Sequence, residues 1–567
     1  MKVLRFLKRI TAFITLFAVI FTNLLIPVYA EKSVVRPNPG SGTASEWLNY
    51  ASALQYALYL FDANMCGSDV DEKCALDWRG NCHTYDTYEY NGRKVDLSGG
   101  YHDAGDHVKF GLPAAYTSVT LHLGYYEFKE VYIETNLGHH LRTIQDRFAE
   151  YFMKCAVYDK SGKKIEAFCY QVGTGNHGDD EGYDHSYWGS PEEQPKEYEN
   201  GQERIAYFTS PENPCSDIVA ATAAALAAHY VNYGDKQALK VAKDLFDYMK
   251  SNEIKISYVP QYPRWEDRTN PADPWDYISL AALWLNLATQ SNDYDDMVNP
   301  LEISKKYTDW PSNWDGVWPM VNVLKEEWRA VENNCKSNYG NDYRFIMKWG
   351  SARLNANLQF IGLIYDKYND TTRYTEWAKK QTDIIFGNNK HNQAYIVGYN
   401  YREDIQYPLY PHHRASDGYT ESPEGPWNED TNEPMVQRPQ AHVIVGALVG
   451  GPESYGGAYY DSLNNYVGNE VAIDYSAGFI NALAGLYLAY GREDLPVSPP
   501  SLIAEGVKDT YDVTVLNPYV NDFDVSNPPK DSNGLLPWIL IGSGVALTAI
   551  GSPLFLNSKK RKKVNED

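Results

Sequence analysis

Two aspartates three residues apart, Asp103 and Asp106, sit inside the run Gly99-Gly100-Tyr101-His102-Asp103-Ala104-Gly105-Asp106-His107-Val108-Lys109-Phe110. Small residues between them let the backbone turn tightly and bring both carboxylates to one concavity, where one holds a water and the other accepts its proton. A calcium loop is the competing chemistry for Asp-x-x-Asp beside glycines, but the EF-hand spacing and its terminal glutamate are missing. Far along the chain, Glu470 lies among apolar and aromatic residues in the segment from Tyr459 to Phe479. Desolvation there would raise its pKa, as a general acid requires; a solvated glutamate at a helix start would keep the ordinary value. A third segment, Tyr410-Pro411-His412-His413-Arg414, offers imidazoles and a guanidinium able to hydrogen-bond hydroxyls. Paired histidines also suggest a metal, yet no third ligand follows at helical spacing.

Helices must position these loops. Apolar residues recur at three- and four-residue spacing over 46–63, 114–130, 139–154, 217–230, 236–249, 275–289, 351–368, 373–386 and 476–490, with shorter candidates at 300–307 and 318–332. Ser216 and Asp217 are placed to cap the Ala-rich helix beginning near Ile218, and Gly491 to stop the last one. Several helices are apolar on more than one side, which suits packing between two neighbours. Long loops rich in Gly, Pro and aromatics interrupt them at 69–113, 170–214 and 388–433, and loops of that length are usually functional. The expected class is all-α, with paired helices in series compatible with a closed ring of hairpins.

The chain of 567 residues carries a formal charge of −23, a balance that repels phosphate backbones and argues against nucleic acid as a partner. Residues 1–30 combine Lys2, Arg5, Lys8 and Arg9 with an apolar run and the close Val28-Tyr29-Ala30, the form of an export signal. A short linker over 31–43 leads to the main domain, expected at 44–493, and a Pro-containing spacer follows at 494–534. Residues 535–557 carry no charged side chain and meet the basic tail 558–567, the arrangement of a single-pass membrane anchor with the main domain outside. Seven cysteines lack any C-x-x-C pair, so zinc is not expected; outside the cell, disulfides become possible among Cys66, Cys74 and Cys82 and between Cys155 and Cys169.

The motifs resemble glycoside hydrolase family 9, the inverting endoglucanases. Gly99 to Phe110 is similar to the family's aspartate motif, Pro411-His412-His413-Arg414 to its histidine motif, and Asp461, Tyr466, Glu470 and Asp474-Tyr475 to its acid motif. Trp78-Arg79-Gly80, Asp184-His185-Ser186-Tyr187-Trp188-Gly189, Pro214-Cys215-Ser216-Asp217 and Trp349-Gly350-Ser351-Ala352-Arg353 extend the likeness from about Ser45 to Gly491. The resemblance implies an (α/α)6 barrel of about twelve helices, with long functional loops forming a cleft for β-1,4-glucan. It implies Asp106 as general base, Asp103 as its helper and Glu470 as general acid. His412 and Arg414 would bind sugar hydroxyls, Arg353 would add a polar contact, and Trp188, Trp310, Trp349 and Tyr475 would offer stacking faces. Leu463, Ala221 and Ser476 depart from residues common in the family. No cofactor is required. Many relatives hold a structural calcium; Asp276 and Asp315 stand at two of its positions, but Tyr277 replaces the expected glutamate, and no metal-ligating residues are assigned. The same fold acting on mixed-linkage glucan, xyloglucan or cello-oligosaccharides, and an inactive glycan-binding surface protein, are the alternative readings.

Overall fold

Burial explains which periodic segments became helices and where each one sits. The computed structural model describes residues 45–175, 183–199, 201–255, 274–298, 310–340, 342–420, 427–428, 433–434, 436–457 and 459–509. Among them run α1 (Tyr50–Ala63), α2 (Gly111–Glu134), α3 (Gly138–Cys155), α4 (Ser216–Tyr233), α5 (Lys236–Ser251), α6 (Trp275–Thr289), α7 (Trp318–Leu324), α8 (Trp328–Asn338), α9 (Ser351–Asn369), α10 (Arg373–Ile385) and α11 (Ile473–Tyr490). Six of these, α2, α4, α6, α7, α9 and α11, touch in succession and close back on α2. Outside this ring α3 packs on α2 and α4, α5 on α4 and α6, α8 on α7 and α9, α10 on α9 and α11, and α1 on α11. Two concentric layers of this kind are what an (α/α)6 barrel requires. The expected helix at 300–307 lies outside the described residues.

Composition separates the two layers. In α4 every residue from Ser216 to His229 is buried, and in α11 every residue from Ile473 to Ala489, as befits helices walled in on all sides. By contrast α5 buries only Ala238, Val241, Ala242, Leu245, Phe246 and Met249, a single stripe. Close approach in the inner ring rests on two glycines. A Cβ on Gly124 would stand 1.8 Å from Asn481 Oδ1, and one on Gly478 would stand 1.7 Å from Asn357 Oδ1. Both asparagines tie neighbouring elements together: Asn481 donates to Thr120 O at 2.7 Å and Asn357 to Ser312 O at 2.6 Å.

Several expectations need correction. Instead of starting at 46, α1 begins at Tyr50, because the Asn49 side chain caps it by accepting from Ser52 N at 2.8 Å. Ser216 and Asp217 lie within α4 rather than capping it; Cys215 takes the cap position in left-handed backbone, and Ser216 Oγ accepts from Lys255 N. The single helix expected over 318–332 is two, parted where Glu326 adopts φ 57°.

Nor is the domain purely helical. The loop after α1 carries a hairpin, β1 (Thr87–Tyr90) and β2 (Arg93–Asp96), turned by Asn91-Gly92 with both φ positive. A four-stranded sheet joins β3 (Lys109–Phe110), β4 (Ala156–Tyr158), β5 (Ile165–Val172) and β6 (Ala206–Phe208), with β5 pairing all three others.

Residues 494–509, expected to begin a spacer, pack on the body instead. Asp494 accepts from Tyr50 N at 2.7 Å, Val497 N donates to Gln55, and Leu76 bridges Val507. The expected export signal at 1–30, linker at 31–43, anchor at 535–557 and tail at 558–567 lie outside the described residues. Among the described residues no helix is long and apolar enough to cross a membrane.

Candidate active site

Three loop segments converge at one end of the ring, and backbone hydrogen bonds lock them together. Ile473 N donates to Asp103 O at 2.9 Å, Arg414 N to Gly105 O at 3.0 Å, and His412 N to Asn469 O at 2.9 Å. Asn64, at the end of α1, donates to His102 O and Ala104 O and meets His413 Nε2 through its own carbonyl. Gly105 is small because the three motifs meet there: a Cβ would stand 2.5 Å from His412 O and 3.3 Å from Glu470 Oε1. Strand β3, following directly on the aspartate motif, pairs Lys109 with Val172 on β5. That pairing carries the chain through Thr174 and Asp184 to His185, whose Nδ1 lies 2.5 Å from Asp106 Oδ2.

The carboxyls share one concavity but not one environment. Burial pushes Asp106 up, yet its His185 hydrogen bond and the nearby Arg414 guanidinium outweigh that and hold it below the usual carboxylate range. Glu470 keeps a partly exposed side chain, with protein around it on the remaining sides. Burial and the neighbouring Asp106 push it up to about 8, against the opposing pull of Arg414. Asp103 also goes well up, through burial and then Asp474, Asp106 and Glu470. Carboxyls whose proton affinities are driven apart in one site are the pattern of paired acid and base.

His412 donates from Nδ1 to Leu463 O at 2.6 Å, and burial pushes its pKa down to about 3, so the ring is neutral and Nε2 is an acceptor. Leu463 meets His412 through its backbone carbonyl, while its side chain is buried against Trp188 and Val436. Arg414 donates from Nη2 to His185 O at 2.7 Å; among the described residues its Nε and Nη1 have no partner, nor has Asp103 Oδ1.

The aromatic expectations divide. Trp349 is half-buried and packs near Tyr466, while Trp310 is 45% exposed. Trp188 and Tyr475 do not stand open as platforms. The Arg414 guanidinium lies 5.1 Å above the Trp188 ring, whose Nε1 donates to Asp417, and Arg353 lies 5.0 Å from the Tyr475 centroid. Arg353 is itself spent on Asp474 at 2.5 Å. These three residues fix the floor of the site rather than lie open on it.

Sequence spacing gave no reason to expect zinc, yet one group of donors lies together in the fold. Cys66, Cys82, His83 and His102 gather, buried, with their ligand atoms all within 4.8 Å of one another. His102 Nε2 is 3.1 Å and Cys66 Sγ 3.7 Å from His83 Nδ1. A tetrahedral zinc with bonds of ~2.0 Å to nitrogen and ~2.3 Å to sulfur needs ligand separations of about 3.3–3.8 Å, so the donor set fits. His83 Nε2 meets Gln194 Oε1 at 2.9 Å, the outer partner that frees Nδ1 for a metal. Burial raises the Cys66 thiol, but the Cys82 hydrogen bond and the Lys109 and His102 charges hold it well below its ordinary value. None of the possible disulfides is formed; all seven cysteines are buried free thiols. At the possible calcium position, Asp276 accepts from Tyr277 N and Val317 N.

The helical ring thus presents, in one concavity, a carboxylate held below the usual range and a carboxyl raised to about 8. The chain belongs to glycosyl hydrolase family 9, whose sequence profile matches residues 50–483. Endoglucanase A of Bacillus pumilus is 30% identical over 510 residues, which span 82% of this chain and 70% of that protein. The catalytic domain of Clostridium thermocellum CelT matches with a TM-score of 0.69 at 34% identity, covering 80% of this chain and 99% of that one. The cellulase Cel9M of C. cellulolyticum in complex with cellobiose gives a TM-score of 0.65 at 32% identity, over 78% of this chain and 98% of that one.

Proposed function

We propose that the chain is an endo-acting, inverting β-1,4-glucanase on an (α/α)6 barrel, with Asp106 as general base, Asp103 as its helper and Glu470 as general acid. The observation that carries this reading is the split in proton affinity between Asp106 and Glu470 within one concavity. Asp106 takes a proton from water as the oxygen attacks the anomeric carbon. Glu470 gives its proton to the departing glycosidic oxygen, and the bond between that oxygen and the anomeric carbon breaks. Solvent then returns both groups to their starting states. Asp103 orients the water, and the unpartnered Arg414 N–H groups and the neutral His412 ring bind sugar hydroxyls. Trp349 and Trp310 supply stacking faces for pyranose rings. The three carboxyls need no cofactor for this chemistry. The protein is exported and held at the cell surface by 535–557, a reading supported by the sequence pattern of both ends.

The test is hydrolysis of cellopentaose followed by proton NMR. The α anomer of the new reducing end is expected first, from internal cleavage. Early β anomer would remove the inverting mechanism.

A further inference from the structure

A second polar cavity lies beside the acid loop. It has a volume of about 310 Å³ and is lined by His391, Gln393, Gln406, Gly457, Tyr459 and Tyr460. That volume falls at the lower end of the range for small-molecule sites, roughly 300–1,000 Å³. The lining contains two phenol rings, two amides and an imidazole, and no carboxylate. Among the described residues, the Gln406 side-chain amide, the His391 ring and the Tyr460 hydroxyl make no hydrogen bond to protein, and His391 and Gln406 are exposed, so three polar groups around one concavity are open to a ligand. Gln393 is held, donating from Nε2 to Ala394 O at 2.7 Å, and Tyr459 packs edge-on against Tyr395 with ring centroids 5.3 Å apart. Two walls are therefore fixed while the remaining groups are free to bind.

This chemistry selects against ions. Amides and phenols exchange hydrogen bonds with neutral hydroxyls, and a ring face packs on the C–H groups of a pyranose. An anion would meet a chain whose net charge is −23. The cavity is also tied to the reaction centre without sharing its residues: the Tyr459 hydroxyl donates to Asn469 Oδ1, and Asn469 precedes the acid Glu470. We infer that this cavity is a second carbohydrate subsite, binding a neutral glucosyl unit of a β-glucan away from the cleaved bond. The inference rests on the glucanase reading for the identity of the sugar.

The experiment uses the full chain carrying Gln406→Ala and Tyr460→Ala together, leaving Tyr459 in place. Retention is measured by affinity electrophoresis in gels containing soluble β-glucan, and kcat/KM is measured on cellotetraose. The inference predicts retention weakened about tenfold, the worth of one or two hydrogen bonds, with kcat/KM on cellotetraose unchanged. Undiminished retention overturns it, and so does a parallel loss on both substrates, which would make the pocket part of the cleft or of the fold. Failure of the glucanase reading is separately visible, because the unaltered chain would then neither cleave cellotetraose nor be retained by the gel.

Discussion

One stretch of backbone feeds two clusters of titratable side chains, and they are built to opposite ends. From 102 to 106, Asp103 and Asp106 join Glu470 in the open concavity, while His102 joins Cys66, Cys82 and His83 in the interior. Around the carboxyls, donors are left over and proton affinities are unequal: Asp106 is held down, and Glu470 is raised to about 8. In the interior the donors face one another at metal-binding separations, and His83 adopts φ 48° to bring its ring there. The first cluster has the unequal proton affinities that proton transfer requires, and the second has its donors at metal-binding separations. Because His102 and Asp103 are adjacent, anchoring one fixes the backbone that presents the other.

Removing an acid or a base should break the first cluster and spare the second. Glu470→Gln is expected to lower kcat/KM on cellopentaose by on the order of 10³–10⁴-fold, with the thermal transition kept. Near-native turnover would take Glu470 out of the mechanism. In the unaltered enzyme the acid must be protonated, so kcat/KM should fall as pH rises through about 8. The base must be ionised, so activity should persist downward until pH passes below the ordinary carboxylate range, where Asp106 titrates.

Disturbing the interior cluster should give the complementary result. Cys82→Ser, or prolonged exposure to a zinc chelator, is expected to cost on the order of 3 kcal/mol of stability, a drop of several degrees in Tm. Both limbs of the pH profile should stay in place. A purified chain without zinc and with unchanged Tm after chelation would dismiss the metal. The smallest effect is expected from His185→Ala, which removes the hydrogen bond that lowers Asp106. The acid limb should move to higher pH while the alkaline limb holds, and an unmoved acid limb would deny His185 its part in tuning the base.

The contrast also explains what the sequence alone could convey. Asp103, Asp106 and Glu470 were legible because each lies in a long motif whose neighbours are themselves constrained; Gly105, for instance, is required by contact with His412 and Glu470. The interior cluster was not legible, since its donors lie 16, 1 and 19 residues apart and meet only once the loop after α1 has folded back on Tyr101 and His102. Residue type likewise cannot tell which ring face is free: Trp188 and Trp349 look equivalent in sequence, but an Arg414 guanidinium already covers Trp188. Several helices were visible as segments apolar on more than one side, the pattern of packing between two neighbours. The break at Glu326 was not, because only its left-handed backbone marks it.

Cleavage of a cellobioside with an activated dinitrophenyl leaving group separates acid from base most directly, since such a group departs without protonation. Glu470→Gln should hydrolyse it at close to the unaltered enzyme's rate and lose the alkaline limb near pH 8, while Asp106→Asn should remain inactive. Equal loss in both variants, or rescue of Asp106→Asn instead, would contradict the division of labour between the two carboxyls.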